Sequence, residues 1–178
     1  MGSLDELEKY AKENNVPIIQ KEGLNFLIKY IKENNIINIL EIGTAIGYSA
    51  IMMAKTSGDI HITTIERDET RYMEALKNIK KFNLEDRITL IFIDAAKGKN
   101  KDFFEHFEAN LSLDGYIITD NMDFHGYVAM KEEDIPSKNI LGIVRKIKDY
   151  TYFLENHMLY KTTIYKIGDG IAVTERRG

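Results

Sequence analysis

Cysteine is absent from the 178-residue chain, which excludes a disulfide framework, a thiolate nucleophile and a cysteine-based zinc site. No apolar run approaches the ~20 residues that a membrane-spanning helix needs, and the N-terminus lacks the apolar stretch of a signal peptide. Those two absences predict a soluble, cytoplasmic protein with no membrane partner. Internal repeats, low-complexity tracts and linkers are also missing, so one domain spanning residues 1–178 is the simplest organisation, large enough for a continuous core. An excess of basic charge is lacking too. The formal net charge of -4 gives no global nucleic-acid signature, although a local basic patch would still serve an RNA substrate. The dinucleotide fingerprint G-x-G-x-x-G does not occur, which argues against a nucleotide-dependent oxidoreductase.

What the chain does contain is centred on residues 38–54. An apolar run of strand length, Ile36 to Ile42, breaks at Gly43 and Gly47 and resumes as a helix-compatible apolar segment. A buried strand, a tight glycine turn and a helix start in succession form a cradle. Glycine lets a ligand approach the backbone, and the helix start offers unpaired N–H groups. His61 to Glu66 reads as the next strand, with Glu66 at its end, 19 residues after Gly47. In nucleotide-binding βαβ units a carboxylate about 20 residues beyond the glycine turn accepts hydrogen bonds from ribose hydroxyls. The alternative for Glu66 is a solvated acid ending a strand.

The periodicity predicts helices over 4–14, 22–33, 70–82, 101–110 and 140–155. It predicts strands over 36–42, 61–66, 87–94 and 116–121, then a closing hairpin of 162–167 with 170–174 around Gly168-Asp169. Pro17 ends the first helical pattern, and Pro136 lies near the end of a loop over 122–139. Alternating strands and helices imply an α/β, Rossmann-like, mainly parallel sheet with helices on both faces and a C-terminal antiparallel hairpin.

Asp94, Asp120 and Asn121 stand just past two of these strands. Open α/β sheets bind ligands outside the carboxyl ends of their strands. Two carboxylates and an amide suit a hard divalent cation such as Mg2+. The competing reading makes Asp94 a helix cap and Asp120-Asn121 a turn.

Glu41-Ile42-Gly43-Thr44-Ala45-Ile46-Gly47-Tyr48-Ser49 resembles motif I of the class I S-adenosylmethionine-dependent methyltransferases. With Asp94-Ala95-Ala96-Lys97 and Asp120-Asn121, the resemblance narrows to the cation-dependent O-methyltransferases of the catechol O-methyltransferase type, small bacterial members included. It runs from about Asn15 to Val173. The resemblance implies an S-adenosyl-L-methionine site formed by Glu41, Gly43, Thr44, Gly47, Ser49 and Glu66. It also implies Mg2+ or a similar divalent cation on Asp94, Asp120 and Asn121, with Lys97 as general base. For Lys97 the alternative is a surface lysine. Tyr48 and Ala45 would pack beside the donor, and Phe124, His125 and Tyr127 would shape the acceptor pocket. Gly168-Asp169-Gly170 recurs in the family and reads as hairpin chemistry. The implied acceptor is a catechol-like hydroxyl compound or a hydroxylated tRNA uridine. The N-terminal segment, residues 1–35, is a short version of one that covers the donor pocket and supports homodimers in the family.

One departure stands out. Leu90-Ile91-Phe92 runs straight into Ile93-Asp94, where the family has an acidic turn, a helix and a separate strand. A strand-helix unit of roughly 20 residues is therefore expected to be missing between residues 90 and 93, and no adenine-binding residue is assigned. That loss predicts weakened donor binding. It also keeps open a rival reading of a truncated, catalytically impaired methyltransferase fold acting as a binding or structural module.

Overall fold

The computed structural model describes residues 3–92, 101, 104, 105, 108, 111 and 115–177. The chain forms two compact units, residues 1–95 and 96–178.

The first unit opens with helices α1 (Leu4–Glu13) and α2 (Lys21–Glu33). Their apolar stripes bury Leu7 and Ala11 on α1, and Leu24, Leu27 and Ile31 on α2. Three strands follow, β1 (Asn38–Ile42), β2 (His61–Glu66) and β3 (Ile88–Phe92), with helices α3 (Tyr48–Ala54) and α4 (Glu69–Lys81) in the two crossovers. The sheet is parallel in the order β1-β2-β3, with Ile42 opposite Ile65 and Ile65 opposite Ile91. Asp68 caps α4, its side chain accepting the Arg71 N–H at 2.9 Å. Ile51 and Ala54 of α3, Ile62 of β2 and Ala75 of α4 are almost wholly buried.

Strand β1, expected to be buried, keeps one face partly exposed. Asn38, Leu40 and Ile42 share one face of β1, and Leu40 and Ile42 remain 43% and 44% exposed. Among the described residues, β2 is the one strand paired with β1. Hydropathy alone reported the apolar run but not how many of its sides are covered.

The second unit holds β4 (Tyr116–Thr119), α5 (Lys138–Glu155), β5 (Tyr160–Tyr165) and β6 (Ile171–Arg176). Two short 3-10 turns, Tyr127–Ala129 and Glu132–Asp134, interrupt the expected loop. The hairpin β5–β6 is present and β6 is central, giving the order β4-β6-β5 with every pairing antiparallel. The expected α/β architecture, a parallel sheet with a C-terminal antiparallel hairpin, is what the described strands form. Among the described strands three are parallel and three antiparallel, because the hairpin brings β6 back beside β4. The core of this unit joins Phe104, Met122, Tyr150, Leu154, Tyr160 and Ala172. Phe104 meets Phe153 and Tyr160 edge-on at 5.3 and 5.4 Å between centroids. Ser137 caps α5 by accepting the Ile140 N–H at 3.2 Å.

Strand β3 runs through Leu90, Ile91 and Phe92 in register with β2, as one continuous strand. Residues 93 and 94, expected to extend it, lie outside the described residues. No described helix is long and apolar enough to cross a membrane.

Candidate functional site

The glycine turn between β1 and α3 is built from backbone that only some residues tolerate. Gly43 has φ 102° and Gly47 φ 84°, while Ala45 between them sits at φ 49°. The two glycines differ in purpose. A Cβ on Gly43 would point into open space, so the backbone there is bare to a ligand. A Cβ on Gly47 would lie 3.6 Å from Ala75, where α4 packs against the turn. The turn is tied to β2 through the Gly43 and Thr44 N–H groups, which donate to the Ile65 carbonyl at 2.8 and 3.1 Å.

Two carboxylates stand beside this turn. Glu41 accepts the Thr64 hydroxyl at 2.5 Å and the Ser49 hydroxyl, and Thr44 and Thr64 hydroxyls meet at 2.6 Å. Burial pushes the Glu41 carboxyl above the usual range, the Ser49 and Thr64 hydroxyls pull it back, and the charge of Glu66 adds to the rise. Glu66 is only 5% exposed. One of its oxygens accepts the Ala45 N–H at 2.7 Å, and the other accepts the Arg67 and Asp68 N–H groups, both at 2.8 Å. Glu66 therefore braces the turn that it was expected to complement. Its oxygen on Ala45 retains a lone pair for a further donor.

The sequence reading missed several supports of this turn. Asn78, on the buried face of α4, donates to the Ile46 carbonyl at 2.9 Å. The signal was available, since a polar residue falls between Ala75 and Ile79 on an apolar stripe. Thr64 was missed as well, hidden in a β-propensity run. Tyr48 does more than pack: its hydroxyl donates to Glu8 at 2.7 Å, and Glu8 pairs with Lys21 at 2.8 Å. Burial, then Glu8, raises the Tyr48 phenol well above its ordinary value. The N-terminal helix is thus latched to the start of α3.

In the second unit, Asp120 and Asn121 follow β4 directly. Burial raises the Asp120 carboxyl, the Asn121 N–H lowers it, and the neighbouring charge of Asp169 raises it again. Asn121 has φ 63°, as do Phe124 at 48° and His125 at 57° in the same sense. Asp169 is 5% exposed; one of its oxygens accepts the His125 N–H, and the other is buried without a hydrogen-bond partner among the described residues. Phe124 and Tyr127 rings lie 5.8 Å apart, and the His125 side chain is exposed.

Asp94 and Lys97 lie outside the described residues, so of the expected cation site the structure describes Asp120 and Asn121, which are neighbours in the chain. Among the described residues, no group of three or more histidine, aspartate or glutamate side chains is placed to hold a metal. The donor set that is described still fits a hard cation. Asp120 and Asp169 are close enough to repel electrostatically, neither pairs with a lysine or arginine among the described residues, and a carboxylate oxygen stays buried and unpartnered.

Comparison with known proteins agrees with this geometry. A sequence profile of the O-methyltransferase family matches residues 2–91, which carry the glycine turn and all three parallel strands. A crystal structure from Staphylococcus aureus, provisionally assigned as a caffeoyl-CoA O-methyltransferase, is 35% identical with a TM-score of 0.93, covering 99% of this chain and 93% of that one. An Arabidopsis thaliana protein of the same provisional assignment is 26% identical, covering 96% of this chain and 82% of its own length. That alignment spans 194 positions, more than the 178 residues here, so the plant protein has residues without a counterpart in this chain. The O-methyltransferase of Bacillus cereus, solved in complex with SAH, shares the fold at 24% identity and a TM-score of 0.80, over 98% of this chain and 90% of that one. The chain belongs to the O-methyltransferase family, the S-adenosylmethionine-dependent enzymes whose glycine turn it carries.

Proposed function

We propose that this chain transfers the methyl group of S-adenosyl-L-methionine to a hydroxyl in a reaction that needs a divalent cation. The observation that carries this reading is the bare backbone of Gly43, open to a ligand, with Glu41 held beside it by the Ser49 and Thr64 hydroxyls. A sulfonium donor carries an ammonium group and a ribose, and each has a carboxylate to meet. Glu41 serves the methionine end, and the charge that burial makes costly is offset by the incoming cationic donor. Glu66 offers its remaining lone pair to a ribose hydroxyl while it keeps Ala45 in place. Gly47, Thr44 and Asn78 hold the turn in the shape that presents Gly43.

Asp120 and Asn121, with Asp94, would hold Mg2+ or a similar ion. Such an ion lowers the pKa of a hydroxyl beside it and fixes the oxygen for attack. Lys97 takes the acceptor proton, the role implied by the family resemblance. Phe124 and Tyr127, whose rings lie 5.8 Å apart, follow Asn121 in the chain and would supply apolar walls for a flat acceptor. The acceptor is a hydroxyl adjacent to a second oxygen, as in a catechol, or a hydroxylated tRNA uridine; a homodimer and a cytoplasmic location accord with either.

Transfer of labelled methyl from the donor to catechol or to bulk tRNA, with Mg2+ and with EDTA, tests the proposal. Label in one acceptor, abolished by EDTA, is the expected result. Label transfer indifferent to EDTA contradicts the cation requirement. A second reading, a binding module without turnover, is favoured by the positions that the plant relative has and this chain lacks. Calorimetry separates the two: donor binding without label in any acceptor supports the module.

A further inference from the structure

Asp169 was read as a hairpin residue, yet most of what it does lies outside the hairpin. It occupies the turn between β5 and β6, and the segment following β4 is bound to it residue by residue. Met122 N–H donates to the Gly170 carbonyl at 3.0 Å, Asp123 N–H to the Asp169 carbonyl at 2.7 Å, and His125 N–H to the Asp169 carboxylate. Within that segment Asn121, Phe124, His125 and Gly126 all have positive φ. Three of those four carry side chains that rarely adopt such backbone, which persists where its surroundings over-determine it.

Gly170 makes the approach possible. A Cβ there would stand 2.8 Å from the Asp123 nitrogen, and the residue already has φ 84°. The turn therefore combines one residue whose side chain must accept a hydrogen bond with one that must have no side chain. A clamp serving the fold alone would be expected to satisfy both carboxylate oxygens. Here Oδ2 is buried with no hydrogen-bond partner among the described residues, 3.5 Å from the exposed His125 ring nitrogen.

We propose that Asp169 is a positioning residue for Asp120 and Asn121: with its carboxylate on the His125 N–H and its carbonyl on the Asp123 N–H, it holds the segment after β4, left-handed at Asn121, Phe124 and His125, in the shape that presents those two side chains to a divalent cation. The proposal rests on the cation-dependent reading above. Metal ligands held by an outer layer of hydrogen bonds lose about 10- to 100-fold in metal affinity when that layer is removed. Asp169 contributes its acceptor geometry first and its negative charge second.

The test uses the full chain and Mn2+ alone, with two readouts. In the cation-free protein, amide hydrogen exchange over residues 121–126 reports the clamp; titration calorimetry reports Mn2+ affinity. Asp169→Ala is expected to speed exchange at His125 at least about tenfold and to weaken Mn2+ by a similar factor, in line with losses of outer-layer partners. Asp169→Asn keeps an acceptor for the His125 N–H and is expected to retain slow exchange and most of the Mn2+ affinity. Should Asp169→Ala fail to fold, Asp169→Ser, too short to reach that amide, is measured in its place. Wild-type and Asp169→Ala proteins that bind Mn2+ equally overturn the positioning role while leaving the cation reading intact. Wild-type protein that binds no Mn2+ overturns the cation reading, and the positioning role with it.

Discussion

Single atoms decide several features of this protein. A methyl group at Gly170 would meet the Asp123 nitrogen at 2.8 Å on backbone of φ 84°. Gly170→Ala is expected to destabilise the chain by about 2 kcal/mol or more, combining left-handed strain with displaced backbone. Urea unfolding measures it, and a loss under about 0.5 kcal/mol, the usual range for neutral surface changes, contradicts the close approach. Glu41 makes a prediction about pH. Its folded carboxyl is raised by burial, so the folded chain binds that proton more tightly than the unfolded chain does. The stability it contributes is complete below the unfolded value of about 4.3 and is lost as pH rises through the folded value. Glu41→Gln removes that loss. Its melting temperature is expected to gain on the wild type between pH 4 and pH 7, and a gap that stays constant across the range contradicts the buried-charge account.

Elements carry the next level. Helix α4 holds the glycine turn by apolar contact at Ala75 and by the Asn78 bond to the Ile46 carbonyl. Asn78→Ala strands that buried carbonyl, a loss of about 1–3 kcal/mol, and is expected to weaken donor binding as well. Calorimetry of the donor decides whether the bond shapes the site; unchanged affinity restricts Asn78 to stability. At this scale the sequence was informative where signals are local. Glycines at 43 and 47, the carboxylate ending β2 and the hairpin all follow from neighbours in the chain. Long-range partnerships were not legible. Nothing near Asp169 announces that its carboxylate lies under His125, 44 residues away, nor does Glu66 reveal its bond to Ala45 across 21 residues. The antiparallel place of β4 depends on β6, more than 50 residues later. Pattern reading fixes an element's type far better than its neighbour.

Taken whole, the molecule has two compact units, each with a three-stranded sheet among the described residues. The family profile covers the first, where the donor is proposed to bind. Donor at 100 times its dissociation constant adds about 2.7 kcal/mol to stability. Hydrogen exchange should show that protection first in residues 41–49 and 64–66, and a donor that protects neither stretch contradicts the assigned cradle. The second unit supplies Asp120, Asn121 and Asp169, two of the three proposed cation ligands and the residue proposed to position them. The proposed cation-dependent transfer needs donor and cation together, which makes the metal position decisive. The measurement is the anomalous signal of Mn2+ in crystals grown with the donor. The account predicts one ion bound by Asp94, Asp120 and Asn121 through oxygens at about 2.0–2.3 Å, near the distances of hard six-coordinate cations. An ion bound elsewhere, or Asp94 remote from Asp120 and Asn121, would contradict it.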